Sequence, residues 1–149
     1  MMPCASPLGY PSKKMSIREN MMRKAIKANP RLNFEELFFD GSFDRFFSQE
    51  KAGDLKIPFE MVRLAPSAVN KQPWRIVLKD NYVHFYLKRS SGFGHEGKLD
   101  MQMIDMGIAL CHFELVAKAC DLSISFVQSN PNIESGDMEY IASYKISLH

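Results

Sequence analysis

Apolar residues recur at helical spacing in three stretches of the chain. The first stretch begins at Ser16, which forms a capping box with Glu19, and it ends before Asn29-Pro30. Apolar side chains three and four residues apart lie on one face of a helix. The pattern therefore predicts a helix in this first stretch, a second at Leu55–Leu64 and the longest at Leu99–Ala119.

Four shorter stretches have the alternating or continuous apolar pattern of strands. Asp80-Asn81, between the first two of them, is typical of a tight hairpin turn. Together with the helices these strands predict an α+β fold, in which helices, including a long central one, pack on a mainly antiparallel sheet. The predicted strands are Arg75–Lys79, Tyr82–Lys88, Ser123–Gln128 and Tyr140–Leu148.

Two segments fall outside this pattern. Residues 1–15 are interpreted as an N-terminal loop, since Met1–Pro11 contains three prolines and a glycine. Phe34–Phe47 carries six phenylalanines in fourteen residues, and such aromatic density must be buried. We interpret Phe34–Phe47 as a strap packed over the core; the alternative is a cover over a bound ligand or a contact with a partner subunit. The whole sequence, residues 1–149, is interpreted as one domain.

Polar and small residues interrupt the largely apolar surface of the longest helix. Asp105 and His112 lie two turns apart and form a candidate pair, because a buried carboxylate needs a partner. The pair either forms a structural hydrogen bond or, in the functional alternative, acts as an acid–base pair in catalysis. Gly107 is expected to permit close approach of another helix. Cys111 and Cys120 are expected to be buried thiols.

Composition and charge exclude several classes of protein. The 149 residues are 46% hydrophobic and 24% charged, which is typical of a globular chain, and the net charge of +2 gives no basis for nucleic-acid binding. No apolar run approaches the ~20 residues of a membrane helix, and the N-terminus lacks the pattern of a secretory signal. The three cysteines show no zinc spacing, so no metal site is predicted. We expect a cytoplasmic protein without membrane contact.

The segment Ala65–Trp74 has the composition of a rigid binding loop. Pro66 and Pro73 fix the backbone at its two ends and prevent a helix or central strand from running through it. Between them, three polar side chains offer both donors and acceptors to the polar edge of a flat heterocycle. The alternative is a helix-capping turn in which these side chains bond nearby backbone. The three residues are Ser67, Asn70 and Gln72.

The run Ala-Pro-Ser-Ala-x-Asn-x-Gln-Pro-Trp at residues 65–74 resembles the flavin-contacting segment of the nitroreductase-like flavoproteins. A weaker likeness extends from Arg63 to about Phe126. The likeness is closest to the second half of a branch of the family in which two half-domains are fused, so the N-terminal portion looks to be missing. The resemblance implies a nitroreductase-like fold and FMN contacts at Pro66, Ser67, Ala68, Asn70 and Gln72.

A second feature shared with this family is the Gly9-Tyr10-Pro11 turn with basic residues just beyond it. In the family such residues approach the FMN phosphate, and a lysine is a suitable point charge for that role. The resemblance therefore adds Lys14, beside Lys13, as a candidate phosphate contact. The alternative is that both lysines are solvated surface residues.

The resemblance implies an FMN-dependent oxidoreductase in which NAD(P)H reduces the flavin and the flavin reduces a nitroaromatic, quinone or similar small-molecule acceptor. Its partner is expected to be a second copy in a homodimer or the missing half-domain. The arginine-rich segment with which the family holds the FMN phosphate has no counterpart in this sequence. The alternative function is therefore a truncated, non-catalytic half-domain that binds a partner chain or flavin.

Overall fold

The computed structural model of this chain describes Tyr10, residues 14–91 and residues 100–147. Within these ranges it has the predicted α+β fold. The helices are α1 (Ile17–Ala25), α2 (Phe34–Leu37), α3 (Lys56–Leu64) and α4 (Met101–Ala119). The strands are β1 (Phe38–Asp40), β2 (Trp74–Lys79), β3 (Tyr82–Leu87), β4 (Ser123–Val127) and β5 (Glu139–Ser147).

The five strands form one sheet in the order β1-β2-β3-β5-β4. All neighbouring pairs are antiparallel except β1 and β2, which are parallel. Strand β1 lies in the phenylalanine-rich segment, which was predicted only as a strap. The segment does supply buried aromatic rings, but it also adds an edge strand, with Phe38 opposite Ile76. Three residues are too few to show a strand period in the sequence.

Both faces of the sheet are covered, which explains why five of the six residues of β3 are buried. On one face α3 and α4 pack against alternate residues of the strand, Val83, Phe85 and Leu87. On the other face Tyr86 packs with Phe39 and with side chains from the segment that precedes β5. The main core therefore lies between the helices and the sheet.

Helix α4 begins where its cap predicts, because the Asp100 carboxylate accepts hydrogen bonds from the backbone N–H groups of Gln102 and Met103. The side of the helix opposite the sheet is exposed although it is apolar. The expectation of buried thiols is wrong: Cys111 lies on this exposed side, and Cys120, just past the helix end, is half-buried.

Gly107 also lies on the exposed side of α4, and the prediction of a close helix contact there does not hold within the described chain. A Cβ built on Gly107 would meet no atom of the described residues within 4 Å. Any helix that approaches Gly107 closely must therefore come from outside the described chain.

Helix α1 forms where predicted but contributes nothing to the core. The Ser16 hydroxyl accepts a hydrogen bond from the Glu19 backbone N–H at 3.1 Å, as an N-cap does. None of the residues of α1 is buried against the rest of the described chain, so its apolar stripe, which includes Ile17 and Met21, faces solvent. No helix in the described ranges is long and apolar enough to cross a membrane.

Several predictions concern residues outside the described ranges. They are most of the N-terminal loop, Gly9 and Pro11 of the predicted turn, Lys13, the first residue of the longest predicted helix, Leu99, and the last residue of the predicted final strand, Leu148.

Candidate functional site

The segment Ala65–Trp74 forms a tight loop between α3 and β2. Helix α3 ends at the residue before Ala65 because Pro66 disfavours helical backbone in the residue that precedes it. Val69 and Asn70 have φ angles of 47° and 56°, in the left-handed region. For a β-branched residue such as Val69 this conformation is costly, and it persists only where surrounding contacts enforce it.

The loop is fastened to helix α4 by Asp105. The backbone N–H of Ala68 donates to the Asp105 carboxylate, at 2.9 Å to Oδ1 and 3.1 Å to Oδ2. Asp105 is only 2% exposed, and burial raises the pKa of its carboxyl while the bond from Ala68 lowers it in part. Within the described chain Asp105 makes no hydrogen bond to His112, so the predicted pair does not form. The carboxylate positions the loop instead.

A second fastening lies within the loop itself. The Ser67 hydroxyl accepts a hydrogen bond from the backbone N–H of Gln72 at 2.8 Å, and the Ser67 carbonyl accepts one from the Asn70 N–H at 3.0 Å. These bonds close a ring of backbone between Ser67 and Gln72. The Ser67 side chain therefore bonds nearby backbone, as the alternative interpretation of this loop expects, but it does not cap a helix.

Asn70 and Gln72 reach out of the loop to the chain segment that links α1 and α2. The Asn70 side chain donates from Nδ2 to two backbone carbonyls and accepts at Oδ1 from an arginine, and the Gln72 Oε1 accepts from a backbone N–H. Gln72 is almost fully buried by these contacts. The distances are 2.6 Å to Lys27 O, 2.8 Å to Pro30 O, 3.0 Å from Arg31 Nη1 to Asn70 Oδ1, and 2.9 Å from Leu32 N to Gln72 Oε1.

A cavity of about 620 Å³ lies between this segment and the loop. Asn70 and Gln72 line it together with three cationic residues, Lys27, Arg31 and Lys71, and no acidic residue of the described ranges is among its lining residues. The positive potential of such a cavity favours an anionic group. The site therefore combines an amide-bearing loop with a cationic wall.

The other residues predicted to contact the cofactor lie around this site or apart from it. Pro66 is exposed, and Ser67 and Ala68 are half-buried beside α4, but they do not line the cavity. Lys14 is exposed, precedes α1 and is likewise not among the cavity's lining residues. The structure thus brings Asn70 and Gln72 together at the cavity, while Lys14 stays a prediction.

A larger cavity, of about 840 Å³, lies at the opposite end of β2, beside the Asp80-Asn81 turn. The described residues that line it include four aspartates and one cation, Lys79, so its charge is opposite to that of the first cavity. An anionic ligand would be repelled there. Among the described residues no group of histidine, cysteine, aspartate and glutamate side chains could hold a metal ion.

Sequence reasoning did not assign Arg31 or the cavity lysines, Lys27 and Lys71, to the site, and it gave Asp105 the wrong partner. Arg31 follows Asn29-Pro30 with no motif around it, and only the fold brings it to Asn70. Asp105 was recognised as a carboxylate that needs a partner, but the partner was sought on its own helix. A backbone N–H such as that of Ala68 carries no sequence signal, so the pairing could not be found from residue types.

Comparisons with a family model and with solved structures each found a similarity. The family model described as "Putative TM nitroreductase" matches residues 4–117. A crystal structure of a putative nitroreductase from Thermotoga maritima is similar, with 20% sequence identity and a TM-score of 0.47. The alignment covers 79% of this chain and 42% of that one, so the sequence spans less than half of that structure's length. No curated protein matches the sequence.

Proposed function

Because this chain belongs to the TM nitroreductase family, whose model matches residues 4–117, we propose that it is an FMN-dependent oxidoreductase. The proposed electron donor is NADH or NADPH, and the proposed acceptor is a nitroaromatic, a quinone or a similar small molecule. When bound, FMN supplies the redox chemistry, so the chain need only bind and orient it. The cytoplasmic location of the protein stays a prediction.

The observation that carries this proposal is the position of the Ala65–Trp74 loop beside a cationic cavity. The cavity's 620 Å³ lies within the ~300–1,000 Å³ of small-molecule sites, and its three cations suit a phosphate group. The residues therefore fit FMN in size and in charge.

Each part of the site has a proposed task. Lys27, Arg31 and Lys71 would hold the phosphate through charge-assisted hydrogen bonds. The amide groups of Asn70 and Gln72 would contact the polar edge of the ring system. Their neighbours contribute by position: Asp105 and the Ser67 hydroxyl fix the loop backbone, so that both amide side chains are presented from a rigid frame.

A second chain has a proposed place on the exposed side of α4. The apolar side chains of this surface include Ile104 and Leu115, with Gly107 and Cys111 between them. From Met101 to Cys111 the surface carries no charge, because the one charged residue of that stretch, Asp105, is buried on the opposite side of the helix. We propose that a second copy of this chain packs there. The dimer would cover an apolar surface that the described chain leaves in water.

The first test is the visible absorption spectrum of the purified chain with and without added FMN, followed by NADH and NADPH oxidation with a quinone acceptor. A bound flavin that is reduced by NADH or NADPH is the expected result. A colourless protein that does not bind FMN would contradict the proposal and favour the alternative, a non-catalytic half-domain that binds a partner chain.

Charge variants test whether FMN uses the cationic cavity. We expect the double variant Lys27→Gln/Lys71→Gln to raise the Kd for FMN about tenfold to a hundredfold, because a hydrogen bond to a charged group contributes ~1.5–3 kcal/mol. Fluorescence quenching of FMN measures the change. Lys51→Gln is the matched control, since Lys51 is exposed and outside the cavity. Equal affinities in the double variant and in the control would place the flavin elsewhere.

A further inference from the structure

The amide side chains proposed to receive the flavin are already bonded to the chain itself. Residues 27–32, here called the latch, present two carbonyl oxygens to the Asn70 Nδ2 and one backbone N–H to the Gln72 Oε1. Arg31 adds a bond to the Asn70 Oδ1. The Gln72 Nε2 turns back to the Asn70 amide oxygen at 3.3 Å. Every nitrogen and oxygen atom of the two amide groups therefore has a partner before any ligand arrives.

The latch offers the same kinds of hydrogen-bonding group as a flavin ring edge. The pyrimidine edge of a flavin has an N–H donor flanked by two carbonyl acceptors. The latch presents two carbonyl acceptors, of Lys27 and Pro30, and one N–H donor, of Leu32. An amide side chain can serve either set equally well, because it has both a donor and an acceptor end. The latch and a ring edge would thus compete for the same atoms.

We propose that backbone groups of the latch are an internal occupant of the flavin loop: they hold its two amide side chains in the ligand-free chain and must release them when FMN binds, while the Lys27 and Arg31 side chains stay at the cavity for the phosphate. This inference rests on the proposed function. It makes FMN affinity depend on the fraction of molecules in which the latch is open. For a ligand that binds only the open state, the apparent Kd equals the Kd of that open state divided by this fraction.

The packing of the chain allows such a movement. Helix α1, which leads into the latch, buries none of its residues in the described chain, so it can move with the latch without loss of core contacts. On the other side Leu32 packs partly against the main core and precedes α2, which has the buried residues Phe34 and Leu37. The latch is therefore attached to a loose helix at one end and to a fixed one at the other, where a hinge is expected.

The interior of the latch is also incompletely satisfied. The buried Arg31 Nε has no hydrogen-bond acceptor among the residues that the structure describes. Lys27 has a φ of 48°, which is unfavourable for a residue other than glycine. An element with an unmet donor and a strained backbone position opens more readily than a regular helix or strand.

Amide hydrogen exchange measures the latch directly, because the Leu32 N–H is bonded to Gln72 only while the latch is closed. On addition of FMN we expect exchange at Leu32 to become at least about tenfold faster. The Phe47 amide, which donates to the Phe38 carbonyl in the sheet, is the internal control and is expected to stay protected. Bound FMN with unchanged protection at Leu32 would overturn the proposal.

Pro30→Gly tests the same idea without removing a cation or a loop side chain. Proline stiffens the latch, so glycine there should populate the open state more. We expect faster exchange at Leu32 without FMN and a lower Kd for FMN, by a similar factor of up to about tenfold. Pro131→Gly, in the loop before β5, is the matched control and should match the wild type in both measurements.

The outcomes separate the two proposals. FMN binding by Pro30→Gly with wild-type affinity, or faster exchange with no gain in affinity, would overturn the latch and leave the proposed function standing. Failure of the wild type and of Pro30→Gly alike to bind FMN would overturn the proposed function, and the latch as a flavin device with it.

Discussion

His84 is a titratable side chain in the middle of the sheet, and its surroundings favour the neutral ring. It is only 4% exposed, and its Nδ1 lies 2.6 Å from the Ser143 Oγ. Burial, and then the charge of Lys79, lowers the pKa of His84 from 6.5 to about 4, with Asp80 raising it in part. In the unfolded chain the ring regains its ordinary pKa.

The shifted pKa of His84 predicts a loss of stability in weak acid. Between pH 6.5 and about 4 the unfolded chain binds a proton that the folded chain does not, so the stabilisation is complete above pH 6.5 and declines as pH falls through this window. We expect the free energy of unfolding to fall by roughly 2 kcal/mol from pH 7 to pH 5 through this group alone. Urea denaturation of the wild type and of His84→Gln measures it.

In that experiment the His84→Gln variant keeps the titrating carboxyl groups and loses only the imidazole. Its free energy of unfolding should therefore depend less steeply on pH than that of the wild type. Parallel curves for the two proteins would mean that His84 titrates in the folded state as it does in the unfolded one.

At the scale of elements, the hairpin between β2 and β3 depends on two residues with left-handed backbone. Asp80 and Asn81 have φ angles of 49° and 62°, as in the two-residue turns that match the twist of paired strands. The turn is also tied to β5, because the Asn81 carbonyl accepts from the Ile146 N–H at 2.8 Å. Aspartate and asparagine tolerate this conformation better than other residues with a side chain.

Substitution at Asn81 tests this dependence. We expect Asn81→Val to lower the free energy of unfolding by about 1–2 kcal/mol, because a β-branched residue is strained at positive φ. Asn81→Gly also removes the side chain but accepts the backbone conformation, so it should retain wild-type stability or exceed it. Chemical denaturation of the three proteins compares them. An equal loss in both variants would assign the effect to the asparagine side chain instead.

These local signals explain which elements could be predicted from the sequence. Helix α3, helix α4 and the β2–β3 hairpin form within two residues of their predicted bounds, since periodicity, caps and turn residues act over short distances. Strand β1 could not be predicted, because it is three residues long and pairs with a strand far along the chain. The exposure of Cys111 could not be predicted either, since an apolar helix has the same composition whether it is covered or not.

The candidate site, too, could be predicted only in part. The polar loop was recognisable from its prolines and from its resemblance to a family. Its contacts with Lys27, Pro30 and Leu32 were not, because they are made by backbone groups that every sequence contains. The bond from Ala68 to Asp105 spans 37 positions and is likewise visible only in the fold. The side chains of the loop made it recognisable in the sequence, whereas its contacts with backbone groups could be found only from the fold.

At the scale of the whole molecule, two apolar surfaces of the described residues lie on helices and are exposed to water. One is the stripe of α1, and the other is the exposed side of α4, where Leu115 is 63% exposed. The stripe on α1 is narrow and flanked by basic residues. The side of α4 is longer and nearly uncharged, and Gly107 near its middle leaves room for a neighbouring backbone. A two-fold axis through this region would pair α4 with its own copy, as in a symmetric dimer.

We therefore expect the purified chain to sediment as a dimer and the variant Ile104→Glu/Leu115→Glu to sediment as a monomer. Two carboxylates placed without partners in an apolar interface should raise the dissociation constant by more than roughly a hundredfold. Ile57→Glu is the matched control, because Ile57 is also an exposed apolar residue but lies on α3. A wild type that sediments as a monomer, or a control that dissociates with the double variant, would remove α4 as the interface. If FMN binding is lost with the dimer, the second copy also contributes to the flavin site; if FMN still binds to the monomeric variant, the cationic cavity of one chain is sufficient.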